Sequence, residues 1–325
     1  MSDSYRGGEP VAEIVRSGFA ESLHRGSVAV TDPSGNVTAS IGDTGSAVFP
    51  RSSNKPMQAL AMLRAGWEPG SAADLAIASA SHRGEPFHLA QVASVLGGAG
   101  IGDDRLQCPP DLPSDPAARN AIVAEGGEPR RVYMNCSGKH AGMLAACAAA
   151  GWDLATYRDP EHPLQRLIVA TVEELTGETV RAVGVDGCGA PVLAVSLTGI
   201  ARAFSRLVEA PEGTPERRVA DAMRANAKLI DGTKGPDHRM MTAVPGLLAK
   251  GGAEGVHVIA APGVGAVAVK IDDGAGRAST PVALRAITQI GGLAVPEDAK
   301  PEIDALLGPE VLGGGEPVGR LRTLL

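Results

Sequence analysis

The stretch Ser27-Val28-Ala29-Val30-Thr31-Asp32-Pro33-Ser34-Gly35-Asn36-Val37-Thr38-Ala39-Ser40-Ile41 decides the fold. Its two ends are short and rich in β-branched residues, which suit a pleated surface. Between them stand Asp, Pro, Ser, Gly and Asn, the residues that favour tight turns. The segment predicts an N-terminal hairpin, preceded by another strand at 11–15. From residue 55 onward the pattern shifts to the period of amphipathic helices. Helices are expected at 56–65, 87–96, 115–125, 142–150, 163–176, 199–208 and 215–230. Strand signals return at 180–185, 256–260 and 264–271, followed by a last helix at 280–290. Strands near both termini with helices between them predict an α/β (α+β) fold. Its sheet is mixed, mainly antiparallel and built from both ends of the chain. The expected layout is one catalytic unit, with a sheet lobe at 10–55 and 255–325 and a mainly helical lobe at 56–254.

Composition excludes several classes. The chain has 325 residues, 44% hydrophobic and 21% charged, which is ordinary for a folded globular protein. A net charge of −7 and only 3% aromatics leave neither a basic footprint nor stacking platforms for nucleic acid. The longest low-charge stretch, 255–269, is broken by His257, Pro262 and glycines, so no membrane span is expected. The N-terminus carries no signal-peptide pattern, and four cysteines make no disulfide framework. These features point to a cytoplasmic protein with reduced thiols. The basic residues are 23 Arg and only 7 Lys. A Lys retained in such a chain is a candidate for its amine, which burial can deprotonate as it cannot an Arg.

Five segments carry candidate chemistry. In Arg51-Ser52-Ser53-Asn54-Lys55-Pro56, Ser52 and Lys55 lie about one turn apart on one helix face. The pair reads either as a capping Ser with a solvated Lys, or as a Ser hydroxyl activated by a neutral amine. In Ala80-Ser81-His82-Arg83-Gly84-Glu85, Ser81 or His82 could serve as acid or base, or the segment could cap the next helix. Asn135-Cys136-Ser137-Gly138-Lys139-His140 packs reactive residues just before a helix. Asp186-Gly187-Cys188 follows a strand, and its thiol could join Cys136 at a zinc ion, although no Cys-x-x-Cys pair is present. Lys270 ends an apolar strand, where it reads as a cleft-lining amine or an edge-strand guard.

Together these segments resemble the rhizobial-type (thermolabile-type) L-asparaginase family. The resemblance also takes in Glu21-Ser22-x-His24-Arg25, His162-Pro163-x-Gln165 and Val269-Lys270-Ile271-x-Asp273-Gly274. It runs in family order from about residue 10 to 275, and Asn135 to His140 is its most specific part. It implies a fold like that of serine β-lactamases and serine-dependent glutaminases. It implies hydrolysis of L-asparagine to L-aspartate and ammonia. The implied catalytic pairs are Ser52 with Lys55 and Ser81 with Lys270, and the implied zinc ligands are Cys136, Lys139 and Cys188. Arg51 and Asp186 are expected to bind substrate. Lys270 is expected to help keep Lys55 neutral, and a homodimer is expected. Three other readings compete: a glutaminase, a Ser–Lys β-lactamase or esterase, and a non-catalytic amino-acid or zinc-binding protein. The β-lactamase motifs Ser-Asp-Asn and Lys-Thr-Gly are missing; Thr233-Lys234-Gly235 has a different order.

Overall fold

The computed structural model describes residues 5–325. The chain opens with β1 (Glu9–Arg16), β2 (Phe19–Thr31) and β3 (Val37–Ile41). β1 and β2 turn at Ser17 and Gly18, both at positive φ (+49° and +82°), as a two-residue hairpin turn requires. The Asp32 carboxylate closes the next turn by accepting from Asn36 N–H at 2.8 Å.

The later strands are β7 (Leu248–Gly251), β8 (Val256–Ala261), β9 (Gly265–Ile271), β10 (Glu310–Gly313) and β11 (Glu316–Thr323). With the first three they form an eight-stranded sheet in the order β10-β11-β1-β2-β9-β8-β7, with β3 also paired to β2. Its pairings are antiparallel throughout. The sheet is built from both ends of the chain, as the strand signals predict. β9 lies in its interior between β2 and β8, which removes the edge-guard reading of Lys270. β7 is an edge strand, and it bounds the cleft described below.

The expected helices appear as α1 (Lys55–Arg64), α3 (Pro86–Gly98), α4 (Pro116–Ala124), α5 (Ser137–Ala150), α6 (Pro163–Thr176) and α7 (Leu197–Glu209). α6 has the bounds its sequence signals imply. Pro163 occupies its first turn, His162 Nδ1 accepts from Leu164 N–H at 3.1 Å, and Gly177 ends it at φ +72°. The single helix expected at 215–230 is two, α8 (Pro215–Ala225) and α9 (Ala227–Asp231), broken at Asn226. The periodicity also misses α2 (Ala72–Ala78), α10 (Pro236–Ala243) and α12 (Lys300–Leu307), so α11 (Gly276–Gln289) is not the last. The strand expected at 180–185 is β5 (Ala182–Val185). It joins β4 (Ala47–Val48) and β6 (Pro191–Ser196) in a separate small sheet, not the main one.

β9 is buried along nearly its whole length, and α7 and α11 both pack against it. α7 is buried on most of its surface and forms the centre of the core. Its removal from water supplies the driving force that fixes the helices on the sheet. Among the described residues, no helix is long and apolar enough to cross a membrane.

Candidate active site

Ser52 sits in a short 3-10 turn, Arg51–Asn54, that leads directly into α1. Arg51 adopts φ +53°, a left-handed conformation that costs a non-glycine residue about 1 kcal/mol or more. The turn is held in place: Ser53 Oγ donates to Pro50 O at 2.7 Å. Gly252, next to β7, presses against it. A Cβ there would stand 2.6 Å from Pro50 O and 3.3 Å from Ser53 N. This contact brings the start of α1 onto the edge strand, and a cleft of about 370 Å³ opens at the junction. Ser52, Ser81, Asn135, Lys250 and His257 are among its lining residues.

Lys55, the first residue of α1, is 1% exposed. Its Nζ donates to Ser81 Oγ at 2.9 Å and to Ala80 O at 2.5 Å. Burial pushes its pKa down to about 8, with Lys250 and Lys139 nearby adding to the shift and Cys136 opposing it. The amine is therefore poised to exchange a proton near neutral pH. Ser52 lines the cleft, and its hydroxyl makes no hydrogen bond among the described residues.

The expected pairing of Ser81 with Lys270 does not form. Lys270 Nζ donates to Glu254 O at 2.7 Å and Ile271 O at 2.5 Å and lies outside the cleft. Strand alternation alone could not tell which way its long side chain folds back. The amine that does line the cleft is Lys250 on β7, 1% exposed. It stands 3.6 Å from Asp237 and donates to Gly251 O at 2.7 Å. Asp237 also lies 3.0 Å from His257 Nε2 and accepts from Gly251 N–H at 2.8 Å. Burial alone would raise the Asp237 pKa, but His257 and Lys250 hold it well below the usual carboxylate range. It is Lys250, not Lys270, that contributes to lowering the Lys55 pKa. The sequence signal for Lys250 was present, one of seven lysines, in Lys250-Gly251-Gly252. The strand carrying it is only four residues long, too short for a periodicity to register.

Arg51 and Asp186 bind each other, Arg51 Nε donating to Asp186 Oδ1 at 2.7 Å, and neither lines the cleft. Their expected hold on substrate has no geometric support here. His82 is fully buried away from the cleft. Its Nδ1 accepts from Gly84 N–H at 3.2 Å, so Nε2 carries the proton and donates to Ser137 Oγ at 2.8 Å. Burial, His88 and Lys55 push its pKa well down, leaving a neutral structural imidazole. Glu85, not Ser81, caps α3, with His88 closing the box.

Cys136, Lys139 and Cys188 converge behind Lys55. α5 begins at Ser137, earlier than periodicity predicts, so Cys136 is its N-cap and Lys139 lies in its first turn. Gly138 makes that start possible, because a Cβ there would stand 2.3 Å from Ile77 O. Lys139 Nζ donates to Cys188 Sγ at 3.0 Å. A hydrogen bond from Cys188, with the Lys55 and Lys139 charges, holds Cys136 well below the usual thiol range. Burial favours a neutral Lys139, but Cys188 and Cys136 outweigh it and hold its proton on. By donor type the three residues fit zinc, with two thiols and one amine. Among the described residues, no group of three or more His, Cys, Asp or Glu is placed to hold a metal ion. Lys139 would have to be the third ligand, and the metal would have to displace its proton.

A buried amine thus stands against a serine hydroxyl beside a cleft of a mixed α/β fold. Comparison with known families carries this further: the family described as L-asparaginase II matches residues 12–323, and the chain belongs to it. No curated protein matches the chain. Two solved structures bear a likeness to it. Mglu in its native form shares 15% identity at a TM-score of 0.44, covering 82% of this chain and 64% of its own. A β-lactamase from Mycobacterium bovis shares 14% identity at 0.40, covering 81% and 94%. The chain thus spans just under two thirds of the length of Mglu.

Proposed function

We propose that the protein hydrolyses the side-chain amide of L-asparagine to L-aspartate and ammonia through a Ser–Lys mechanism. The observation that carries the mechanism is the buried Lys55 amine, in contact with Ser81 and one turn from Ser52. Family membership supplies the amide substrate class. In this reading neutral Lys55 takes the Ser52 proton as Oγ bonds to the amide carbon. The C–N bond then breaks. The leaving nitrogen takes its proton from the Ser81 hydroxyl, which Lys55 refills across 2.9 Å. Water next attacks the aspartyl ester, gives its proton to Lys55, and Ser52 Oγ recovers a proton as aspartate departs. Lys250, beside the cleft, favours Lys55 as the free amine.

A bound zinc on Cys136, Lys139 and Cys188 would stiffen the wall behind Lys55 and supply a fixed positive charge there. These residues, with or without it, hold α5 against the base.

The direct contact between Lys55 and Ser81 favours one second reading, in which Ser81 attacks. Ser52→Ala and Ser81→Ala decide it, each assayed by ammonia release from L-asparagine and L-glutamine. A Ser52→Ala protein with near-normal turnover would overturn Ser52 as nucleophile. Comparable rates on the two amides would make the protein a glutaminase as much as an asparaginase, since one methylene is worth roughly 10–200-fold.

A further inference from the structure

Four charged side chains line the cleft: Arg83, Asp231, Asp237 and Lys250. Lys250 and Asp237 are 1% and 2% exposed and engage each other. Arg83 and Asp231 are 33% and 15% exposed and are the pair a ligand can reach. Arg83 Nε donates to Asp231 O at 2.6 Å and its Nη2 to Asp231 Oδ1 at 3.0 Å. Its Nη1 makes no hydrogen bond among the described residues.

The pair is held rigidly. Arg83 O accepts from Asp115 N–H at 2.9 Å. The arginine stem lies over Gly232, where a Cβ would stand 2.8 Å from Arg83 Cδ. Gly232 has φ +78°, which also favours glycine. Burial and the Asp237 charge push the Asp231 pKa up to about 6, so an incoming cation would be welcome there. Ser81 is two residues from Arg83, and both line the cleft with Ser52.

We propose that Arg83 and Asp231 form the subsite for the α-carboxylate and α-ammonium of a free amino acid. The proposal rests on the amide-hydrolysis reading above and deepens it. A zwitterion offers one group to the free guanidinium edge and one to the carboxylate, while its side-chain amide extends to the serines. An acylated or peptide-bound asparagine lacks one of the two charges and is a poor substrate.

Two truncated amides test this. Succinamate is asparagine without its ammonium, and 3-aminopropanamide is asparagine without its carboxylate. Steady-state kinetics on all three substrates would be measured for the native protein, Arg83→Met and Asp231→Asn. Arg83→Met is expected to lower kcat/KM about 10- to 100-fold on L-asparagine and succinamate, mainly through KM, and to spare 3-aminopropanamide. Asp231→Asn is expected to do the same on L-asparagine and 3-aminopropanamide and to spare succinamate. Equal losses on all three substrates would show a merely structural pair and overturn the proposal, as would no loss on any. If the native protein releases no ammonia from L-asparagine, the hydrolytic reading fails. Calorimetric binding of the same three compounds to the same variants then decides the subsite by the same pattern.

Discussion

The pH dependence of turnover is the sharpest consequence of the buried amine. With Lys55 pushed down to about 8, roughly one molecule in ten carries the free base at pH 7, and roughly nine in ten at pH 9. An unshifted lysine would supply only about three in ten thousand at pH 7, so the shift is worth a few hundredfold in competent enzyme. In free energy it is about 3 kcal/mol, set mainly by desolvation of the buried side chain. Because the neutral form is the base, ammonia release from L-asparagine should rise about tenfold per pH unit below 8 and level off above it. Lys55→Arg, permanently charged, should lose at least about a hundredfold, and its residual rate should lack this limb. Stability follows the same group. Between about pH 8 and the ordinary lysine range, the unfolded chain holds this proton and the folded chain does not, so stability at this site rises with pH there and is flat below. A rate profile flat from pH 6 to 10, or centred near 10.5, would refute the reasoning. So would a Lys55→Arg protein of native activity.

Other expectations follow from the placements. Lys250→Met should cut turnover at least about tenfold and shift the rising limb to higher pH as a positive neighbour of Lys55 is lost, whereas Lys270→Met should leave the rate within about twofold; steady-state assays separate the two. Gly252→Ala should lower activity and cost about 1–3 kcal/mol in denaturant titration, because its methyl meets Pro50 O and pushes the turn that carries Ser52. If zinc occupies the thiol site, metal analysis should find about one ion per chain, and Cys136→Ser should lose it.

Residue type and local spacing were enough for much of this protein. The turn at 32–36 with the strands around it and the capped helix α6 could be read from the chain, whereas the grouping of Cys136, Lys139 and Cys188 comes from the family resemblance. Ser52, Lys55 and Ser81 stand out as candidates because small polar residues at helix ends announce themselves locally, but their pairing as catalytic groups comes from the family resemblance. Short elements could not be read: β7 has four residues, α10 eight, and neither shows a period before it ends.

Pairing across the cleft lay beyond any local pattern. The family resemblance implies Lys270 as the partner of Ser81, and the residues alone leave Lys270 as a cleft-lining amine or an edge guard. The folded sheet reverses that choice: β9 lies in the interior and turns its amine toward backbone carbonyls, while the edge strand β7 delivers Lys250 to the cleft. Arg83 meets Asp231 for the same reason, across 148 residues of chain. Composition and spacing determine which chemical groups are available and which short segments are ordered. Which amine faces which hydroxyl depends on strand order and on the direction each long side chain takes, and only burial of the assembled core settles those.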